Sequence, residues 1–180
     1  MDSKFGQAGN DGRDAALLES IQVQSESHGI NIWFVHAPFA AEYSISSPSQ
    51  ANVDQGVEVA LACVDGCAFL GGSGVVTHSS EYLEESESPR ERLPRAKEAL
   101  ARIVEHAAPL GIQIAVENLP PQCLGGRSFE LLELIEPYGR DEVGFCLDTG
   151  HAYLRGGEGA TLVEAAAPNV ITTHNDGEDD

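Results

Sequence analysis

A chain of 180 residues, 42% hydrophobic, can bury one core and make one domain; no apolar run is long enough to span a membrane and MDSKFGQAGNDGRD lacks a secretory pattern. The formal charge of -19, from 29 acidic against 10 basic residues, opposes a nucleic-acid partner, because a phosphate backbone would be repelled. The expected address is cytoplasmic, and since only Lys4 and Lys97 are lysines the acidic surface suits a salt-rich, halophilic cytoplasm, with an ordinary acidic enzyme kept soluble by its charge as the alternative.

A flexible N-terminus over 1–13 is expected ahead of one domain over 14–180. The stretch 14–27 spaces its apolar residues three and four apart, as a helix with one buried face does. INIWFVH then reads as a strand that stops at His36. A second helical stretch, 53–70, carries Cys63 and Cys67 on one face. With Cys123 and Cys146 they form neither a zinc-type double pair nor a secreted disulfide framework, so reduced, buried thiols are expected. GVVTH is the next strand, ending at His78.

The acidic segment EYLEESESPRE (81–91) reads as a solvated loop entering a helix over 88–111. Ser88 and Pro89 suit a cap and a first turn, whereas Pro94 predicts that the regular helix begins only after it. IQIAVEN ends a third strand at Glu117 and Asn118. A helix over 128–139 should take Ser128 as its cap and Gly139 as its stop, with Glu130 and Glu133 favouring its N-terminal half. VGFCLD ends a fourth strand at Asp148, GEGATLVEAAAP allows one or two helical turns, and NVITTH ends a fifth strand at His174.

Strands this uniformly apolar are buried on both faces, as parallel strands flanked by helices are. Each also ends on a residue of ligand type, whereas a doubly wound sheet would gather such residues at one switch point. The expected fold class is therefore α/β, a partial (β/α)8 TIM barrel of about five βα units. His36, His78, Glu117, Asp148, His151 and His174 lie at or just past strand ends, where a barrel aims side chains at one centre above its mouth. Taken singly, a strand-end histidine is more often a satisfied polar residue; as a set, these six point to a divalent metal. His28 and His106 fall inside helical stretches and are read as surface or helix C-terminal residues.

The segments WFVHAPF, VVTHSS, IQIAVENLP, VGFCLDTGHAYL and ITTHNDGEDD, in that order and spacing, resemble the strand-end motifs of the sugar phosphate isomerase/epimerase family, the xylose-isomerase-like or AP-endonuclease-2-type TIM barrels. The resemblance runs from about residue 14 to the end, with LDTGHA its most specific piece. It implies that the five strands are the third to seventh of eight, leaving strands one, two and eight, and the eighth strand's glutamate ligand, unmatched. It implies Glu117 as a metal ligand that also moves a substrate proton, and Asp148 and His174 as metal ligands. His151 is implied as a second-site ligand or a catalytic contact to a substrate hydroxyl, and His36 and His78 as ligands of the endonuclease IV branch. Past His174 the turn is shorter than the family's, and Asp176, Asp179 and Asp180 receive no assignment.

The expected function is that of a sugar or sugar phosphate isomerase or epimerase, using manganese, zinc, magnesium or cobalt to polarise a carbonyl while Glu117 takes the neighbouring proton. An endonuclease IV-like phosphodiester hydrolase is the alternative, favoured by the histidines and opposed by the charge. A third reading is an inactive truncated barrel, whose open edges would invite homo-oligomers.

Overall fold

The computed structural model describes residues 13–154 and 158–175; the N-terminal stretch 1–12 and Asp176, Asp179 and Asp180 lie outside the described residues. Helix α1 (Ala15–Ser27) starts where the Asp14 side chain accepts from the N–H groups of Ala16 and Leu17. There follow β1 (Phe34–His36), α2 (Gln50–Phe69), β2 (Gly74–Thr77), α3 (Pro89–Ala107), β3 (Gln113–Glu117), α4 (Ser128–Ile135) and β4 (Val143–Asp148). A one-turn helix α5 (Thr149–Tyr153), then α6 (Glu158–Ala166) and β5 (Val170–His174), complete the order. The strands pair in chain order, β1-β2-β3-β4-β5, and every pairing is parallel. Five parallel strands with their helices on one side form a curled half of a (β/α)8 barrel.

Strand period two divides the core. On the outer face Val75, Ile114 and Phe145 pack under Val57 and Val64 of α2 and Leu100 and Ile103 of α3. On the inner face Val76, Ala115 and Cys146 form a smaller cluster with Phe34 and Ile171. Two residues further along the same inner face come His36 after Phe34, His78 after Val76, Glu117 after Ala115 and Asp148 after Cys146. The parity that buries small residues inside the curl thus brings the ligand-type residues to its mouth. Glu117 lies opposite Cys146 and Asp148 opposite His174 in the register.

Four local expectations are corrected. Helix α3 runs unbroken from Pro89 through Pro94, which sacrifices one hydrogen bond to the Arg90 carbonyl while burial of Leu93, Ala96 and Leu100 holds the turns on either side. Ser128 is the first helical residue of α4 and not its cap. The buried Glu130 carboxylate supplies the cap, accepting from the N–H groups of Arg127 at 3.3 Å and Gly125 at 3.0 Å, and the helix ends at Ile135, before Gly139. Helix α2 begins at Gln50 because Ser49 accepts from the N–H of Asn52. In the acidic loop, Glu81 and Glu87 are paired with Arg92, so these two are partly buried ion-pair partners and not a freely solvated run.

The cysteines stand as expected: all four are buried and none is in a disulfide among the described residues, and Cys67 donates to the Gly74 carbonyl at 3.2 Å. No helix among the described residues is long and apolar enough to cross a membrane.

Candidate metal centre

The six residues expected from strand ends converge. Glu117 is 1% exposed, and its Oε2 lies 3.0 Å from His36 Nε2, 3.3 Å from His78 Nε2 and 3.4 Å from His174 Nδ1. Its Oε1 lies 3.4 Å from His151 Nδ1. Asp148, equally buried, places Oδ2 3.7 Å from His151 Nδ1 and 3.9 Å from His174 Nδ1. Three overlapping donor groups result, each with ligand atoms within 4.8 Å of one another: His36, His78 and Glu117; Glu117, Asp148 and His151; and Glu117, Cys146 and His174. Cys146 was missed by reading strand ends, because a thiol two residues before Asp148 looks like ordinary core.

The backbone fixes these side chains. Asn118 Nδ2 donates to the Asp148 carbonyl at 2.9 Å and its Oδ1 accepts from the Asp148 N–H at 2.8 Å, latching the end of β3 to the end of β4. Asp148 Oδ1 accepts from the His151 N–H at 2.6 Å, which caps α5 and turns His151 back over the site. Phe39, in the loop after β1, stacks on His78 with ring centroids 4.3 Å apart. His28 and His106 stay away from the cluster; His28 ends α1, and His106 Nε2 lies 2.6 Å from Asp65.

The ring partners decide what this arrangement accepts. His36 Nδ1 lies 2.6 Å from the Ala37 carbonyl, and a carbonyl only accepts, so Nδ1 carries the proton. In the neutral ring, Nε2 therefore points a lone pair at the Glu117 carboxylate, an arrangement that repels unless a proton or a cation lies between them. His151 repeats the logic, with Nδ1 donating to the Asn118 carbonyl at 2.9 Å and Nε2 left as its lone-pair nitrogen. Two buried carboxylates among neutral imidazoles carry a charge of about -2, which a divalent ion offsets. The donor set fits such an ion.

In the metal-free chain, protons take that place. Burial by itself would raise the Glu117 pKa, but hydrogen bonds from His151, His36 and His78 outweigh it and hold the carboxyl far below the usual range. His151 is raised in return, first by its hydrogen bond to Glu117. Burial, then the charges of Glu117 and Asp148, push the Cys146 thiol well above its ordinary value.

The cluster opens onto a cavity of about 660 Å³ whose wall includes His36, His78, Glu117, His151 and His174. A half-barrel with imidazoles and carboxylates gathered at its strand ends is a TIM-barrel layout whose mouth could hold a metal ion. The sequence profile of the xylose isomerase-like TIM barrel family matches residues 5–176, and the chain belongs to that family.

Two curated relatives share 30% identity with it. An inosose isomerase of Halalkalibacterium halodurans matches over 82 residues, 45% of this chain and 29% of its own length. An uncharacterized protein of Methanocaldococcus jannaschii matches over 155 residues, 81% of this chain and 52% of its own length. The crystal structure of a D-tagatose 3-epimerase-like protein superposes with a TM-score of 0.79 at 27% identity, covering 90% of this chain and 62% of that one. The chain thus spans about half or less of the curated relatives it matches.

Proposed function

We propose that this chain carries the metal centre of a sugar isomerase or epimerase. The observation that carries the reading is the convergence of the His36, His78 and His174 ring nitrogens on the buried Glu117 Oε2, at 3.0, 3.3 and 3.4 Å, at the mouth of a half-barrel and on the wall of a cavity of sugar size. Glu117, Asp148 and His174 would hold the ion, with His36 and His78 as further nitrogens. Bound there, manganese, zinc, magnesium or cobalt supplies the carbonyl polarisation that acidifies the neighbouring C–H. Glu117 Oε1, the oxygen facing away from His36, His78 and His174, accepts that proton, and His151 Nε2 accepts a hydrogen bond from a substrate hydroxyl. The kinship with an inosose isomerase and a D-tagatose 3-epimerase-like protein supports a small polyhydroxy carbonyl substrate. The acidic, lysine-poor composition supports work in a salt-rich cytoplasm.

The test is exchange of the α-proton of D-tagatose in deuterated buffer with manganese, followed by NMR. Exchange by the parent and none by Glu117→Gln, with circular dichroism unchanged, is the expected result. Exchange at the parent rate in Glu117→Gln would remove the mechanism. A second reading has one observation in its favour: all three donor groups share Glu117, as a carboxylate bridging two ions of a hydrolase would. Cleavage of bis(p-nitrophenyl) phosphate without sugar proton exchange would select it, although the charge of -19 opposes a DNA substrate.

A further inference from the structure

The loop after β1 carries an aromatic side chain that the chemistry above does not use. Phe39 lines the same cavity as His78 and Glu117 and is 67% exposed. One face of its ring lies on His78, with centroids 4.3 Å apart and planes 22° from parallel, and it meets His36 edge-on at 6.0 Å. The stack covers one face, and the exposure leaves the rest of the ring open. Tyr82, 68% exposed in the loop after β2, stands on the same wall. A lone exposed phenylalanine on an outer surface asks for no explanation, but open aromatic rings on the wall of a cavity that also gathers polar groups are what a pocket for a small organic ligand presents.

The backbone that carries Phe39 is fastened on both sides. The Ala37 N–H donates to the Val76 carbonyl at 2.9 Å, and the Tyr43 N–H donates to the Ala40 carbonyl at 2.9 Å. Further along the loop, Asn52 Nδ2 donates to the Ala41 carbonyl at 3.2 Å, and Arg92 and Arg95 donate to the Ser46 and Ser47 carbonyls at 2.8 Å each. The ring is thus an apolar surface set on rigid supports beside the strand-end nitrogens, as a binding residue must be. A sugar has two kinds of surface. Its hydroxyl and carbonyl oxygens suit a metal, carboxylates and imidazoles, which offer nothing to its C–H face. The face of an aromatic ring carries partial negative charge, and C–H hydrogens beside oxygen-bearing carbons are partly positive, so the two attract as well as exclude water.

We propose that Phe39 is a specificity-determining residue: the open part of its ring packs against the C–H face of the bound sugar, while the covered face stays stacked on His78. The sugar is thereby held with its oxygens toward Glu117 and His151 and its carbon chain along the loop after β1. This rests on the isomerase reading of the same cavity.

The test separates sugar binding from metal binding. The full chain is titrated calorimetrically first with zinc and then, zinc-loaded, with D-tagatose, for the parent and for Phe39→Leu, Phe39→Ala and Phe39→Trp. Phe39→Ala should weaken D-tagatose by about tenfold and Phe39→Leu, which keeps apolar bulk without a π face, by about threefold, whereas Phe39→Trp should stay within about twofold of the parent. Zinc affinity should stay within about threefold of the parent in all three, because no ligand atom is removed. Saturation-transfer NMR, irradiating aromatic protons of the zinc-loaded chain, should light up the C–H protons of D-tagatose in the parent and do so far less in Phe39→Leu. Should Phe39→Ala fail to fold, Phe39→Leu decides by the same two readouts. D-tagatose binding as tight in Phe39→Ala and Phe39→Leu as in the parent overturns the role of Phe39 and leaves the isomerase reading standing. Parallel losses of zinc and D-tagatose also overturn it, because the ring would then act only through His78. A parent that takes zinc but no D-tagatose overturns both.

Discussion

Glu117 and His151 set the pH dependence of the metal-free chain. Glu117 is depressed from 4.5, so its contribution is complete above that value and fades as pH falls below it. His151 is raised from 6.5, so its contribution is complete below that value and is lost as pH rises through its folded pKa. With chelator present, the melting temperature should therefore peak between 4.5 and 6.5. With excess zinc the peak should move to higher pH, because imidazoles bind metal only when deprotonated. A metal-free chain that stabilises steadily up to pH 8 or so would contradict the proton-bridged cluster. Asn118 is tested separately. Asn118→Ala breaks both bonds to the Asp148 backbone and should cost about 2–4 kcal/mol in urea unfolding while weakening metal uptake.

At the scale of elements, α2 presses on the turn at Ala41–Tyr43 through Gly56. A Cβ there would sit 2.1 Å from the Tyr43 carbonyl oxygen, and backbone on both sides leaves no flexible side chain to yield. Gly56→Ala should destabilise by about 1–3 kcal/mol and, since Gly56 and Tyr43 both line the cavity, weaken D-tagatose as well; thermal melts and calorimetry check both. The strands were legible in the sequence because fully apolar runs that stop at one polar residue leave little room for another reading; the same stops pointed to five of the cluster residues, and the sixth, His151, lies three residues past one of them. Helix boundaries were less legible. Pro94 and Ser128 carry strong local signals that the buried faces of α3 and the reach of Glu130 override. Arg92 and Phe39 were not legible, because their partners are set by how two loops meet in space and no periodicity encodes that.

For the whole molecule, the sheet ends in β1 and β5 as edge strands among the described residues, and Trp33, beside β1, is 66% exposed. The fold holds a large acidic excess. Exposed pairs such as Arg13 with Asp65 and Arg102 with Asp54 contribute little, and salt weakens them. Repulsion from a charge of -19 is screened by the same ions and is the larger effect. The melting temperature should accordingly climb as potassium chloride rises to molar levels, and a flat or falling profile would assign the acidity to solubility alone.

The strand ends of this half-barrel are proposed to make a divalent-metal centre around Glu117. Calorimetric titration of the chelator-stripped chain with manganese or zinc tests it most directly, with Glu117→Gln as the control. Uptake of about one equivalent or more by the parent is expected, with protons released as the imidazoles become ligands, and much weaker uptake by the variant. Uptake below about a tenth of an equivalent with either metal, or equal uptake by Glu117→Gln, would contradict it.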